Sequence, residues 1–208
     1  MPNWCYSNVE IVGSEASIDR LEKEFDSALS KDSIRTDFGR EWLGNLLLHI
    51  GMSKDEVING DVRCRGSVTY FEREAKDRLV MDTETAWGPH VQCIKMFVDH
   101  YVDDAAIFYR AEEPGCCLFW SNDDEYIGHV FIDHYPGKGF PEDLDEAIDQ
   151  AQYCSKTDVV EMLEEYLGHP GRLEDLESEL NEQLQKINAD LYVSCNEYQN
   201  VPVSTEAC

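Results

Sequence analysis

The sequence predicts an α+β protein built on a ferredoxin-like antiparallel sheet with helices on one face, extended by extra strands and a C-terminal acidic helical region. Three observations lead to it. Apolar residues alternate with period two in several segments of the first 135 residues, amphipathic helical segments separate those strands, and helix-forming residues dominate after Pro136. We therefore expect a ferredoxin-like domain at residues 1–135 and an acidic helical extension with a frayed tail at residues 136–208.

The first element is a β-α unit. Residues 4–12 alternate in polarity and stop at Gly13, which is typical of a strand and its turn. Ser14 is a helix N-cap residue, and apolar side chains then recur at helical spacing. These are Ile18, Leu21, Phe25 and Leu29. One apolar stripe with charged residues between its members predicts a helix that packs on a sheet.

The middle of the chain reads as helices and a hairpin. A helix is predicted at residues 41–50, although Gly44 weakens it, and Ser53-x-x-Glu56 resembles a capping box for a second, short helix. The strands at residues 66–74 and 78–86 are joined by a short polar turn, which predicts a hairpin. A helix follows at Pro89.

Three further strands are predicted at residues 105–111, 116–121 and 126–135, joined at turn-forming segments as an antiparallel meander. The resulting order, β-α-(α)-β-β-α-β-β-β, contains the split β-α-β pattern.

The extension should hold three helices, near residues 144–151, at 159–167 and at 172–190. The third has the clearest apolar stripe, made by Leu173, Leu176, Leu180, Leu184, Ile187 and Leu191. Packing of this stripe within the same chain is favoured over a partner helix, because most amphipathic helices face their own core.

Charge excludes several classes of partner. The 208 residues carry 43 acidic and 17 basic side chains, a net charge of −26. Residues 112–208 hold 23 of the acids and only four of the bases. This field disfavours direct binding to nucleic acid or to an anionic membrane. The sequence lacks an apolar segment long enough to span a bilayer and lacks an export signal, so we expect a cytoplasmic protein with reduced cysteines. It predicts no metal site and no cofactor, because it contains neither Cys-x-x-Cys nor a phosphate-binding glycine loop.

The segment Met1-Pro2-Asn3-Trp4-Cys5-Tyr6-Ser7-Asn8 resembles the start of the YubB/Api92-like ferredoxin-like domain family of phage and plasmid proteins. Trp42-Leu43-Gly44-Asn45, Thr85-Ala86-Trp87-Gly88-Pro89 and the segment from Glu112 to Asp123 fit the same pattern. The resemblance covers about residues 1–135 and implies a mobile-element origin and a ferredoxin-like fold. It brings no catalytic residues, and a shared fold does not fix an activity.

The leading functional hypothesis is a non-catalytic protein that binds a host protein through its acidic surface. Carboxylates can replace phosphates in a basic nucleic-acid-binding groove, and a host defence protein is the partner that the resemblance suggests. The predicted interaction residues are Glu161, Glu164, Glu165, Glu174, Asp175, Glu177, Glu179, Glu182 and Trp87.

Two alternatives remain open. One is a small enzyme with a site at the sheet edge near Cys5, His129 and Asp133, although a free cysteine in a strand is more often a small buried apolar residue. The other is a scaffold that self-associates, as a homodimer, through helix 172–190. Trp4, Trp42, Trp87 and Trp120 are each expected to fill the core or the helix–sheet interface rather than to form a ligand cage, and Trp87, which lies before a proline, is the first of them to test for exposure.

Overall fold

The computed structural model describes residues 3–30, 38–60, 62 and 64–203. The chain divides into two compact units: the first runs to Asp123 and includes the chain again from Val201, and the second is Asp124–Asn200. The elements of the first unit are β1 (Trp4–Val12), α1 (Glu15–Ala28), α2 (Gly44–His49), α3 (Lys54–Asn59), β2 (Gly66–Ala75), β3 (Arg78–Ala86), α4 (Val91–Tyr101), β4 (Ala106–Glu113) and β5 (Leu118–Ser121).

The strands of the first unit form an antiparallel sheet in the order β2-β3-β1-β4-β5. β1 is central, with Val9 opposite Met81 of β3 on one side and Tyr109 of β4 on the other. Each of the two helical connections, from β1 to β2 and from β3 to β4, skips one strand position. The predicted α+β class is confirmed, and the ferredoxin-like assignment stays a prediction.

Alternation along the strands divides the sheet into a covered face and an open face. In β1, Cys5, Val9 and Ile11 are buried, whereas Trp4 and Tyr6, on the two sides of Cys5 in the sequence, are exposed. The covered face carries the helices, whose buried members continue the same core. They include Ile18, Leu21, Phe25, Leu46, Leu47, Ile94 and Phe97.

Local sequence signals for helix starts and for the hairpin are confirmed. The Ser14 side chain accepts a hydrogen bond from the backbone N–H of Ser17 and begins α1. Ser53 and Glu56 form the expected capping box at α3. β2 and β3 pair as an antiparallel hairpin. The helix expected at residues 41–50 is shorter in the structure, where α2 begins at Gly44. A Cβ at this position would overlap the Trp42 ring.

The predicted three-strand meander is wrong in its third strand. β4 and β5 pair as expected, but the chain then leaves this sheet. The side chain of Asn122 accepts from the Tyr109 N–H at 2.8 Å and donates to the Ile107 carbonyl at 2.7 Å, so it occupies the backbone groups that a longer β5 would use. The following strand, β6 (His129–His134), belongs to the second unit.

The second unit has its own sheet, so a purely helical extension is wrong. Its elements are β6, α5 (Glu142–Ala151), β7 (Cys154–Ser155), α6 (Lys156–Leu167), α7 (Leu173–Ile187), β8 (Val193–Glu197) and β9 (Gln199–Asn200). β6 lies between β7 and β8 and is antiparallel to both. Alternation in residues 126–135 predicted a strand correctly, but alternation does not specify which strand pairs with it.

The leucine stripe of α7 is covered within this unit. Leu176, Leu180 and Leu184 are almost completely buried against β6, α5, α6 and β8, whereas Ile187 is 57% exposed. The predicted packing within the chain is confirmed. Self-association through the buried leucines of this stripe would require surface that the core already uses, and the homodimer itself stays a prediction.

The predicted domain boundary and tail also need correction. The division lies at Asp123–Asp124 rather than at residue 135, because β6 contributes Val130 and Ile132 to the second core. The tail is not frayed at its start: Tyr198 is buried, and the Val201 N–H donates to the Ser121 carbonyl at 2.9 Å. Residues 204–208 lie outside the described part. Among the described residues, no helix combines the length and apolar character needed to cross a membrane.

Candidate functional site

Several aromatic side chains of the first unit surround an open cleft of about 730 Å³. Its lining is mostly apolar and comprises Trp4, Phe38, Trp42, Ile58, Asn59, Cys64, Arg65, Gly66, Ser67, Ala86 and Trp87. Trp4 is 45% exposed and Trp87 is 52% exposed. Two half-exposed indoles beside one cleft are a larger apolar surface than scattered single residues usually present. We call this feature the aromatic cleft.

The paired ends of β1 and β3 position Trp4 and Trp87. Trp4 lies opposite Ala86 in the β1–β3 ladder, so Trp87 follows immediately after the pairing ends. The Trp87 N–H donates to the Asn3 carbonyl at 3.0 Å, and the Thr85 hydroxyl donates to the Gly88 carbonyl at 2.7 Å. Trp87 has a φ of 73°, a left-handed conformation that is unfavourable for a residue with a side chain.

Trp42 forms the buried wall of the aromatic cleft. Its indole Nε1 donates to the Cys64 carbonyl at 3.0 Å, and its backbone pairs with Ser67 in an isolated bridge. The Phe38 ring packs on it with the two ring centroids 4.7 Å apart. Gly44 leaves room for the indole, because a Cβ at that position would overlap the ring. The sequence expectation that all four tryptophans fill the core holds for Trp42 and fails for Trp4 and Trp87.

The polar groups of the aromatic cleft include a cation and, among the described residues, no carboxylate. Arg65 is exposed, and within the part of the chain that the structure describes it makes no ion pair. Burial lowers the pKa of nearby His90, and the positive charge of Arg65 lowers it further. Asn59 and Ser67 add an amide and a hydroxyl. Among its described residues, the lining therefore carries one positive and no negative side chain, on a strongly acidic chain.

The carboxylates predicted to bind a partner lie on α6 and α7 of the second unit. This unit, residues 124–200, contains 19 acidic and four basic residues, a net charge of −15. Five of the eight predicted carboxylates already have partners inside the unit. Glu164 accepts from the Gly171 N–H, Glu174 pairs with Lys156, Asp175 pairs with Arg172, Glu177 accepts from the Cys195 N–H, and Glu179 pairs with His169.

The other three, Glu161, Glu165 and Glu182, form no ion pair or side-chain hydrogen bond with the rest of the described chain. Of these, Glu165 lines a depression of about 630 Å³ between α5, α6 and α7. We call this depression the acidic notch, and its lining comprises Asp143, Glu146, Ala147, Gln150, Met162, Glu165, Tyr166 and Gln183. Partial burial raises the pKa of the Tyr166 hydroxyl, and the neighbouring Asp143 carboxylate raises it further.

Sequence reasoning missed Asp143 and Glu146. They lie three residues apart near the start of α5, and residues at this spacing share one face of a helix. That signal was present in the sequence. The juxtaposition with Glu165 was not, because it depends on how α5 packs on α6.

The structure does not support a nucleophilic site at Cys5. This side chain is completely buried in the first unit, and burial raises the pKa of its thiol to about 11. His129 and Asp133 belong to β6 of the second unit, where Asp133 accepts a hydrogen bond from the Tyr192 hydroxyl at 3.0 Å. In the described residues, no three or more His, Cys, Asp or Glu side chains form a group able to hold a metal ion.

Comparisons with protein-family models, with curated proteins and with solved structures found no match to this chain. The fold and the two depressions define a two-unit α+β protein with an aromatic cleft on one unit and an acidic notch on the other. The resemblance to the phage and plasmid family therefore stays a prediction.

Proposed function

We propose that this is a non-catalytic protein that binds a basic surface of another protein through the acidic helices of its second unit. The setting, a phage or plasmid product that inhibits a nucleic-acid-binding host defence protein, rests on the sequence resemblance. The carboxylates would occupy sites where that partner binds phosphates.

The acidic notch is the observation that carries this proposal. Asp143, Glu146 and Glu165 line it, and within the described chain none of them forms an ion pair. Met162 and Tyr166 supply an apolar and aromatic wall. A lysine or arginine side chain has matching parts, because its aliphatic stem covers apolar surface and its charged head pairs with carboxylates.

Charge density supports the same surface. The second unit carries its net charge of −15 on 77 residues, whereas the first unit carries −11 on 131 residues. Like charges held this close destabilise a compact unit through self-repulsion. A basic partner would relieve the repulsion, and the negative field would accelerate its approach. Such binding weakens as salt rises, because salt screens exposed charges.

Charge reversal in the acidic notch tests the proposal. The triple variant Asp143→Lys, Glu146→Lys, Glu165→Lys is compared with a control triple in the first unit, Asp26→Lys, Asp103→Lys, Asp77→Lys. Both variants change the net charge equally, and all three control positions are exposed. Immobilised wild-type and variant proteins capture partners from a bacterial lysate at about 0.1 M and about 1 M salt, with quantification by mass spectrometry.

We expect the wild-type protein and the control triple to capture the same basic protein at low salt. We expect the notch triple to capture at least about tenfold less of it, because each lysine meets like charge on the partner. High salt should release the partner from all three. Equal capture by the two triples, or no salt-sensitive basic protein on the wild type, contradicts the proposal.

A further inference from the structure

We propose that the aromatic cleft of the first unit binds a planar aromatic ligand that carries an anionic group, with its ring on the indoles of Trp4 and Trp87 and its anion on Arg65. Nucleoside monophosphates and aromatic carboxylates both have this chemistry. The proposal is independent of the acidic notch, because every described residue of the aromatic cleft lies in the first unit.

The backbone at Trp87 is the first support. A non-glycine residue at a φ of 73° is strained, and such strain is retained where the surrounding structure enforces it, often at ligand sites. Here the hydrogen bond from the Trp87 N–H to Asn3 and the bond between Thr85 and Gly88 hold the turn. The result is a half-exposed indole at a fixed position. An aromatic ring that stacks on it removes apolar surface from water.

The charge of the lining is the second support, and it indicates the sign of the ligand's charge. The chain has 43 acidic residues, yet Arg65 is the charged residue among those described in the lining. A cation entering the aromatic cleft would meet this guanidinium without a described carboxylate to offset it, which disfavours a cation–π cage. An anionic group can accept charge-assisted hydrogen bonds from Arg65.

Size and the field of the whole chain limit the ligand further. A cleft of about 730 Å³ lies within the range of small-molecule sites. Asn59 and Ser67 can form directional hydrogen bonds to a ring edge. A long polyanion is disfavoured by the net charge of −26, whereas a small monoanion or dianion meets mainly local charges, because screening acts over about 8 Å at physiological salt.

Isothermal titration calorimetry with matched probes tests the proposal on the full chain. One pair is AMP and uncharged adenosine, and the other is 2-naphthoate and 2-naphthylmethylammonium, which share a ring system and have opposite charges. We expect the anionic member of at least one pair to bind at least about tenfold more tightly than its counterpart. This ratio corresponds to one charge-assisted hydrogen bond. Tighter binding of AMP than of naphthoate identifies a nucleotide ligand, and the reverse order identifies an aromatic carboxylate.

Variants assign the binding to the aromatic cleft. Trp87→Gly removes the indole and suits the left-handed backbone, so we expect a folded protein with about ten- to hundredfold weaker binding of the anionic probe. Arg65→Gln should remove the preference for the anion, and Trp120→Phe, outside the lining, should bind like the wild type. Trp4→Ala replaces Trp87→Gly if the latter does not fold, as judged by circular dichroism. Binding of neither anion, equal or tighter binding of the cationic probe, or unchanged binding by the cleft variants overturns the proposal.

Discussion

The aromatic cleft and the acidic notch are depressions of similar volume with opposite linings. The aromatic cleft, about 730 Å³, has exposed indoles, one arginine and no carboxylate among its described residues, whereas the acidic notch, about 630 Å³, has three carboxylates. Both occur in a chain with a net charge of −26. The net charge of the whole chain therefore describes the protein poorly, because the charged side chains are arranged locally and the two depressions have different linings.

The two units also divide the hydrophobic core. In the first unit the core lies between a sheet and the helices on its covered face, and in the second it lies between a short sheet and three acidic helices. Each unit thus buries its own apolar surface, which is the main favourable contribution to folding. We expect the units to respond separately to local perturbation.

The largest expected contrast is in thiol reactivity. Burial raises the pKa of the Cys5 thiol in the first unit to about 11, and burial together with the neighbouring Glu177 carboxylate raises the pKa of Cys195 in the second unit to about 12. Each rise of two pKa units lowers the reactive thiolate fraction about a hundredfold. We expect iodoacetamide to modify exposed Cys117 at least about a hundredfold faster than buried Cys5 or partly buried Cys195, as measured by peptide mass spectrometry.

In increasing urea, Cys5 then reports the opening of the first unit and Cys195 that of the second. Two separate transitions would sharpen the division into units. A single coincident transition would show that the two cores unfold together. Rapid alkylation of Cys5 in the native protein would contradict its burial and reopen the catalytic alternative.

Removal of core volume in the second unit has the next largest effect. Leu180 of α7 is 1% exposed and Ile187 of the same helix is 57% exposed. We expect Leu180→Ala to lower the free energy of unfolding of the second unit by about 3 kcal/mol, through lost burial and a cavity. Ile187→Ala, the control, should change it by less than about 0.5 kcal/mol. Urea denaturation followed by Cys195 alkylation measures both changes.

Cys5 protection provides the internal reference, because Leu180→Ala should leave the first unit unchanged. If Leu180→Ala lowers the free energy of unfolding by less than about 1 kcal/mol, the packing of the leucine stripe within the chain is contradicted. The stripe would then be available as an association site.

Local sequence patterns predicted the helices and strands much better than they predicted which strands pair with each other. The cap at Ser14, the capping box at Ser53 and the hairpin at residues 66–86 depend on neighbours in sequence, so the sequence contains all their determinants. The pairing of β6 depends on a distant segment. Its alternation matches either sheet, and the Asn122 side chain that ends the β4–β5 pairing acts through tertiary contacts.

The candidate sites show the same limit. Glu165 was predicted from the acidic composition, and Trp87 from the proline that follows it, but their surroundings were not. Trp4 and Trp87 line the same cleft because Trp4 lies opposite Ala86 in the β1–β3 ladder. The internal partners of Glu177 and Glu179 likewise come from β8 and from the segment before α7. An acidic count therefore overestimated the number of carboxylates available to a partner.

The smallest expected effect concerns the second unit. It distinguishes a carboxylate that is hydrogen-bonded inside the fold from an exposed carboxylate that a partner could bind. Partial burial raises the pKa of Glu177, and the neighbouring Glu174 raises it further despite the hydrogen bond from the Cys195 N–H at 3.2 Å. A raised carboxyl pKa means that the folded state favours the protonated form, so ionised Glu177 opposes folding. Its contribution is absent below the unfolded pKa of about 4.3 and develops as pH rises through the raised folded value.

We therefore expect Glu177→Gln, which keeps an acceptor for the Cys195 N–H, to gain stability relative to the wild type as pH rises from about 4 to about 7. Glu182→Gln on the exposed side of α7 is the matched control and reports the general effect of removing one charge from an acidic surface. Urea denaturation at several pH values measures both differences. If Glu177→Gln gains more stability with rising pH than Glu182→Gln does, the ionised Glu177 carboxylate destabilises the folded state. A loss relative to the control would mean that the Cys195 N–H stabilises the carboxylate more than burial disfavours it.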